Sequence, residues 1–354
     1  MRRMRGIRLA AGVLALGLGL AACGDDPATT PGDAGMTSGA AQSDLKVGLA
    51  YDIGGRGDQS FNDSAARGLD KAKSELGFEA TELEAAAGET DAQKEDRLQQ
   101  LAEGGFNTII AVGFAYAVAV GKVAAEYPDI KFAIVDDASD ASKADNIANL
   151  TFAENEGSFL VGAAAALKST TGKVGFIGGV NVPLIQKFEA GFTAGVKAAK
   201  PEATIEVKYL TQPPDFTGFN DPAKGETAAN GMFDNGVDVI YAAAGGSGNG
   251  VFKAAKAKGA LGIGVDSDQY NQPALAEVKD VIITSMLKQV DVAVYDFLAA
   301  VNDDTFKAGE QIFDLKADGV GYSKSGGKLT DIEAALEEFK AKIIAGEIKV
   351  PATI

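Results

Sequence analysis

The chain of 354 residues contains no histidine, no tryptophan and one cysteine, Cys23. Histidine is the commonest general base near neutral pH and the commonest metal ligand. Without it, Ser–His–Asp triads, Cys–His pairs and imidazole metal sites are excluded together. A single cysteine leaves nothing for an intrachain disulfide or a thiolate cage. Basic residues are scarce as well: 33 Lys and Arg stand against 49 Asp and Glu, a formal charge of −16, so the chain repels nucleic acid. Phosphate loops are missing too. The glycines Gly245, Gly246, Gly248 and Gly250 fail the G-x-G-x-x-G spacing, and G-x-x-x-x-G-K-[ST] occurs nowhere.

What is present begins with a leader. Arg2, Arg3, Arg5 and Arg8 open an apolar stretch from about Leu9 to Leu20 that ends in Leu20-Ala21-Ala22-Cys23. Basic, apolar and small-residue segments in that order make a secretory signal, and cysteine directly after Leu-Ala-Ala resembles a lipobox. Cleavage there makes Cys23 the lipid-bearing first residue of the mature chain. The alternative is an uncleaved anchor, but the run is shorter than the about 20 residues a membrane span needs. Either way the working domain sits outside the cytoplasmic membrane. Removing residues 1–22 deletes four arginines and no acid, which moves the formal charge from −16 to −20. Residues 23–43, rich in Gly, Pro, Thr and Asp and without an apolar period, read as a flexible tether.

From Leu45 onward short apolar runs alternate with helical patterns. Lys46–Tyr51, Thr108–Val112, Lys131–Val135, Lys173–Ile177, Val237–Ala242, Leu261–Val265 and Val281–Met286 are continuous apolar runs, as expected of parallel strands covered on both faces. Ala65, Leu69, Ala72 and Leu76 form one helical stripe, and Ile185, Phe188, Phe192 and Val196 another. Pro183 and Asp221-Pro222 are helix-start signals, with Asp221 a fitting N-cap. The alternation predicts an α/β fold of βαβ units with parallel sheets, and roughly 330 mature residues suit two domains of about 100–200 residues.

The unusual residues cluster where those strands end. Asp52-Ile53-Gly54-Gly55, Gly113-Phe114, Asp136-Asp137, Gly178-Gly179, Gly245-Gly246-Ser247-Gly248, Asp266-Ser267-Asp268 and Lys288 each follow a strand-like run. Open α/β sheets bind ligands outside the carboxyl ends of their strands, so these positions converge on crevices although far apart in sequence. The same residues have plainer readings. Carboxylates after strands often cap the next helix, which leaves Asp52 and Asp136 between cap and contact. Phe61 extends the Ala65–Leu69 stripe backward and suits core packing, Phe219 precedes a capped helix start, and Lys288 suits a solvated helix start.

Several of these segments together carry a resemblance. Asp52 to Asn62 with its Ser60-Phe61-Asn62, Thr151 to Leu160, Gly172 to Gly179, Asp221 to Gly225, Ala244 to Gly250 and Gly264 to Gln269 resemble, in family order from about Leu45 to Tyr322, the basic membrane protein family of substrate-binding lipoproteins. The best-understood members of that family are purine nucleoside receptors. The resemblance implies a type I periplasmic-binding-protein fold: two doubly wound parallel-sheet lobes joined by a hinge of three crossings, with residues 44–160 plus about 287–318 in the N-terminal lobe and 161–286 plus about 319–354 in the C-terminal lobe. It implies that Phe61 and Phe219 sandwich a nucleobase, that Asp266, Lys288 and the backbone at Gly245 hold the ribose, and that Asp52, Asn62 and Asp136 approach the base. Where the family often has an aspartate shortly after the Gly-Phe pair, this chain has Val118, and Asp136-Asp137 doubles a carboxylate that is usually single.

The expectation is therefore a lipid-anchored nucleoside-binding protein on the outer face of the cell membrane. It feeds an ABC importer, acts as a monomer, and needs no catalysis, cofactor or metal. Two alternatives stand beside it. One is an exported nucleoside hydrolase using clustered carboxylates such as Asp266 and Asp268; the other is the same binding fold with a sugar or other small ligand.

Overall fold

A computed structural model describes residues 43–354. The leader, Cys23 and nearly all of the expected tether lie outside the described residues. All seven apolar runs are strands. In the first half of the chain they are β1 (Lys46–Ala50), β3 (Thr108–Ala111) and β4 (Lys131–Val135), joined by β2 (Glu79–Leu83) and β5 (Ile147–Phe152), with helices α1 (Phe61–Leu76), α2 (Asp91–Glu103) and α3 (Ala117–Glu126) between them. After α4 (Glu154–Lys168) the pattern repeats as β6 (Lys173–Val180), α5 (Pro183–Ala199), β7 (Thr204–Thr211), α6 (Pro222–Asp234), β8 (Val239–Ala243), α7 (Gly248–Lys258), β9 (Leu261–Asp266) and β10 (Ile282–Lys288). The chain closes with α8 (Val290–Asn302), β11 (Gly309–Phe313), β12 (Val320–Tyr322) and α9 (Glu333–Ile344).

The strands form two sheets of six, in the orders β11-β5-β4-β3-β1-β2 and β12-β10-β9-β8-β6-β7. Every pairing is parallel except that of β10 with β12. Each sheet thus reverses its winding beside its first strand, between β1 and β3 and again between β6 and β8. Crevices outside the strand ends at such switch points are where doubly wound sheets take ligands.

The local signals fold as their chemistry dictates. Asp221 caps α6, its carboxylate accepting from the Lys224 N–H at 2.9 Å, a bond worth about 1 kcal/mol. Both apolar stripes face the core that the two sheets share. Glycines bring α4 and α5 into backbone contact, since a Cβ at Gly191 or Gly195 would lie 2.1 or 1.9 Å from the carbonyl oxygens of Asn155 and Phe159.

Three segments pass between the sheets. The first falls at Phe152–Glu154, ahead of the boundary expected at residue 160, because α4 packs on α5, β10 and β12 rather than on the first sheet. The second is Lys288–Val290, after which α8 packs on α1. The third joins β11, which extends the first sheet beside β5, to β12. It is tied to α4 by the Leu315 N–H, which donates to Glu156 Oε2 at 2.9 Å. The structure thus puts the whole of α4 with the second sheet.

Candidate functional site

One cavity opens where the two sets of strand ends face each other, and Asp52, Phe61, Asn62, Asp136, Phe219, Gly245, Asp266 and Lys288 all line it. Ile53, Asp58, Phe114, Leu184, Ile185 and Phe188 complete much of the wall. None of these six was singled out from sequence as a contact, although Phe114 sits in a flagged strand-end pair. Ile185 and Phe188 are both core stripe and cavity wall, because the N-terminal end of α5 points at the cleft.

The first-sheet side is a carboxylate loop. Burial pushes the Asp52 carboxyl up to about 6. Its Oδ1 accepts from the Ile53 N–H at 2.8 Å, while its Oδ2 sits over Gly113, where a Cβ would approach to 2.5 Å and φ is +103°. Only glycine fits that turn. Asn62, expected to approach a base, is committed to the loop instead. Its Oδ1 accepts from the Asp52 N–H at 3.1 Å, and its Nδ2 donates to Ile53 O at 3.3 Å and Asp58 Oδ2 at 3.1 Å. Asp58 gathers the N–H groups of Ser60, Asn62 and Asp63 at 2.8, 2.8 and 3.1 Å, so it caps α1 from outside the helix. Burial raises its carboxyl to about 6 as well.

Asp136 and Asp266 occupy equivalent places, one following β4 and the other ending β9. Both adopt left-handed backbone, at φ +71° and +62°. That conformation is uncommon outside glycine, tolerated by aspartate, and concentrated at functional sites. Asp266 Oδ2 accepts from Ser60 Oγ at 2.7 Å. Asp136 Oδ2 accepts from Lys288 Nζ at 2.5 Å, and its Oδ1 is buried with no partner from the chain. Burial, with Glu154 adding to it and Lys288 opposing it, carries the Asp136 carboxyl to about 7. Asp137 turns away and holds Ser139 and Ser142 in the following turn, so the doubled carboxylate contributes only one group to the cavity.

Lys288 is 2 % exposed. Desolvation alone would lower its pKa, but the carboxylates of Asp136, Glu154 and Asp266 outweigh that and raise it. Its ammonium lies 4.9, 5.0 and 5.6 Å from the ring centres of Phe61, Phe152 and Phe188. Behind it stands Glu154, itself 1 % exposed, with Oε1 3.5 Å from Lys288 Nζ and Oε2 2.7 Å from Lys187 Nζ. An acid in the first turn of a helix looks in sequence like a dipole partner. Only burial identifies Glu154 as a second countercharge of Lys288, beside Asp136.

On the opposite wall, Phe219 ends a short helical turn (Phe216–Phe219) and lies on Gly179, where a Cβ would come within 2.4 Å of its ring. Gly245, at φ +54°, passes under the Phe219 carbonyl. Across the mouth, Phe114 and Phe216 meet edge to face at 5.9 Å. Val118 is 45 % exposed and absent from the cavity lining. Asp268 also lies off the lining, and its Oδ2 accepts from Asn271 Nδ2 and Ser325 Oγ at 2.8 and 2.5 Å. No three His, Cys, Asp or Glu among the described residues are grouped to hold a metal. The arrangement offers aromatic faces, carboxylates and one ammonium to the cavity.

The profile of the ABC transporter substrate-binding proteins called PnrA-like, the Bmp group, matches residues 45–353. The chain belongs to the basic membrane protein family. It is 37% identical to the CD4+ T-cell-stimulating antigen of Listeria monocytogenes over 96% of each chain. It is 33% identical to the ABC transporter nucleoside-binding protein BmpA of Lactococcus lactis over 90% of this chain and 92% of that one. An ABC transporter solute-binding protein of Aeropyrum pernix K1 superposes with a TM-score of 0.75 at 32% identity, covering 87% of this chain and 94% of the other. The basic membrane protein fold is that of type I periplasmic binding proteins, and here its cleft is the cavity just described. Among the described residues no helix is long and apolar enough to cross a membrane.

Proposed function

We propose that this substrate-binding protein captures nucleosides, purine nucleosides foremost, in the interlobe cavity. It would do so as a lipid-anchored monomer on the outer face of the cell membrane, handing its ligand unchanged to an ABC importer. The observation that carries this reading is the convergence in one cavity of Phe61 and Phe219, one from each lobe, with the buried Asp266 and Lys288. Aromatic faces stack on any base, at about 1–3 kcal/mol each, and a carboxylate beside an ammonium suits a sugar diol, which both accepts and donates. The name of the Lactococcus lactis relative supports the same ligand class.

Titration calorimetry with guanosine and with guanine tests the assignment. Asp266→Ala should remove the preference for the nucleoside over its free base, costing guanosine about 1.5–3 kcal/mol. Phe219→Ala should weaken both ligands alike by about 1–3 kcal/mol. Guanosine affinity untouched by Asp266→Ala would refute the ribose role. Release of free base during incubation would mark an enzyme instead.

The anchor rests on Leu20-Ala21-Ala22-Cys23. One acyl chain holds a protein only marginally, whereas two signals anchor it stably, so a multiply acylated Cys23 is expected. Cys23→Ser protein should move from the membrane fraction to the soluble one, and wild-type partitioning of that variant would refute lipidation.

A further inference from the structure

Ser60 immediately precedes α1, in the position where a serine hydroxyl ordinarily caps its own helix. It makes no such cap. Asp58 has taken over the free N–H groups of the first turn, and this releases the Ser60 hydroxyl to leave its own lobe. Its Oγ donates to Asp266 Oδ2 at 2.7 Å, with Val265 O 3.1 Å away, both at the end of β9 in the other lobe.

The contact is returned from the other side. Ser267 Oγ donates to Ser60 O at 2.6 Å and Gln269 Nε2 donates to Gln59 O at 3.0 Å. Arg67 Nη2, from α1, donates to Ser267 Oγ at 3.1 Å. Ser60, Ser267 and Gln269 are each no more than 1 % exposed. Parting the lobes would exchange these bonds for bonds to water, and an intramolecular hydrogen bond is net favourable over that exchange, so this set of bonds favours the arrangement in which the two lobes meet.

We infer that Ser60, with Ser267 and Gln269, is an interlobe latch that orients the Asp266 carboxylate toward the cavity and slows ligand release. The inference rests on the nucleoside reading of the site. Ser60 is a positioning residue: it acts on the ligand through Asp266, and only with the lobes together. A latch between the lobes acts once they have met, so its strength bears on dissociation and leaves association nearly untouched.

Surface plasmon resonance with guanosine on the full chain, paired with guanosine and guanine titrations, tests this. Ser60→Ala should dissociate about tenfold faster, the lower end for losing a hydrogen bond to a charged group, with an unchanged association rate and a narrowed preference for guanosine over guanine. Ser267→Ala, which leaves the start of α1 intact, should also release faster but keep that preference. Ser60→Thr retains the hydroxyl and should behave as wild type. Wild-type dissociation in both alanine variants overturns the latch, as does a loss in Ser60→Ala that Ser60→Thr fails to restore. Wild-type protein that binds no nucleoside overturns the site reading and the latch together, whereas normal wild-type binding with unaffected variants overturns the latch alone.

Discussion

Lys288→Met should reduce guanosine binding by a hundredfold or more and destabilise the fold by about 3–5 kcal/mol, the usual cost of stranding the partners of a buried ion pair. Methionine keeps the apolar stem among Phe61, Phe152 and Phe188 but leaves Asp136 and Glu154 without the ammonium that lies 2.5 and 3.5 Å from them. The Asp136 carboxyl, already raised by burial, relieves that burial by taking a proton. The variant's deficit should therefore grow as pH rises from about 5 to 8, since protonation compensates only at the acid end. Urea unfolding across that range measures it. A pH-independent deficit would mean that Lys288 contributes packing alone.

The wild type should itself lose stability as pH rises from about 4 to 7. Burial keeps the folded Asp136 carboxyl protonated up to about 7 and those of Asp52 and Asp58 up to about 6, whereas the same groups in the unfolded chain ionise near 3.9. In that window the folded state binds more protons than the unfolded one, so the unfolding free energy falls with increasing pH. At about 1.4 kcal/mol per unit of difference, Asp136 alone should account for a fall of about 4 kcal/mol. Asp136→Asn removes the group that titrates last and should flatten the slope between pH 6 and 7. An unchanged slope in that variant would show that Asp136 is ionised in the folded protein throughout.

These expectations draw on positions of unequal legibility. The central strands could be read from composition because both faces of a parallel sheet are covered, giving runs such as Thr108–Ala111 and Val239–Ala243 without a polar residue beyond the first. The edge strands could not. β2, β7 and β11 interleave Glu, Thr, Lys and Gln with apolar residues because one side or rim meets solvent. β5 hides behind Asn149, a buried amide whose Nδ2 is spent on Asp137 O, Ser142 O and Ser142 Oγ. In the site, aspartates and glycines at strand ends announce themselves by topology. Asp58, Ser60 and Glu154 do not, since in sequence each reads as an ordinary helix-start residue.

By itself the sequence determined the chemical inventory and its placement at strand ends. A chain without histidine, with aspartates and glycines recurring where parallel strands stop, brings carboxylates and close-approaching backbone to the switch points of an α/β sheet, where such sheets take ligands. Periodicity is local, so it carries that much and no further. Which side chains share a cavity, which are spent on the protein itself and which charges are paired are long-range facts. The pairing of Lys288 with Asp136 spans 152 positions and that of Ser60 with Asp266 spans 206. Only the packing of the two lobes against each other sets those distances, and with them the desolvation that makes a surface-like lysine into a buried cation and a helix-start serine into a bridge across the cleft.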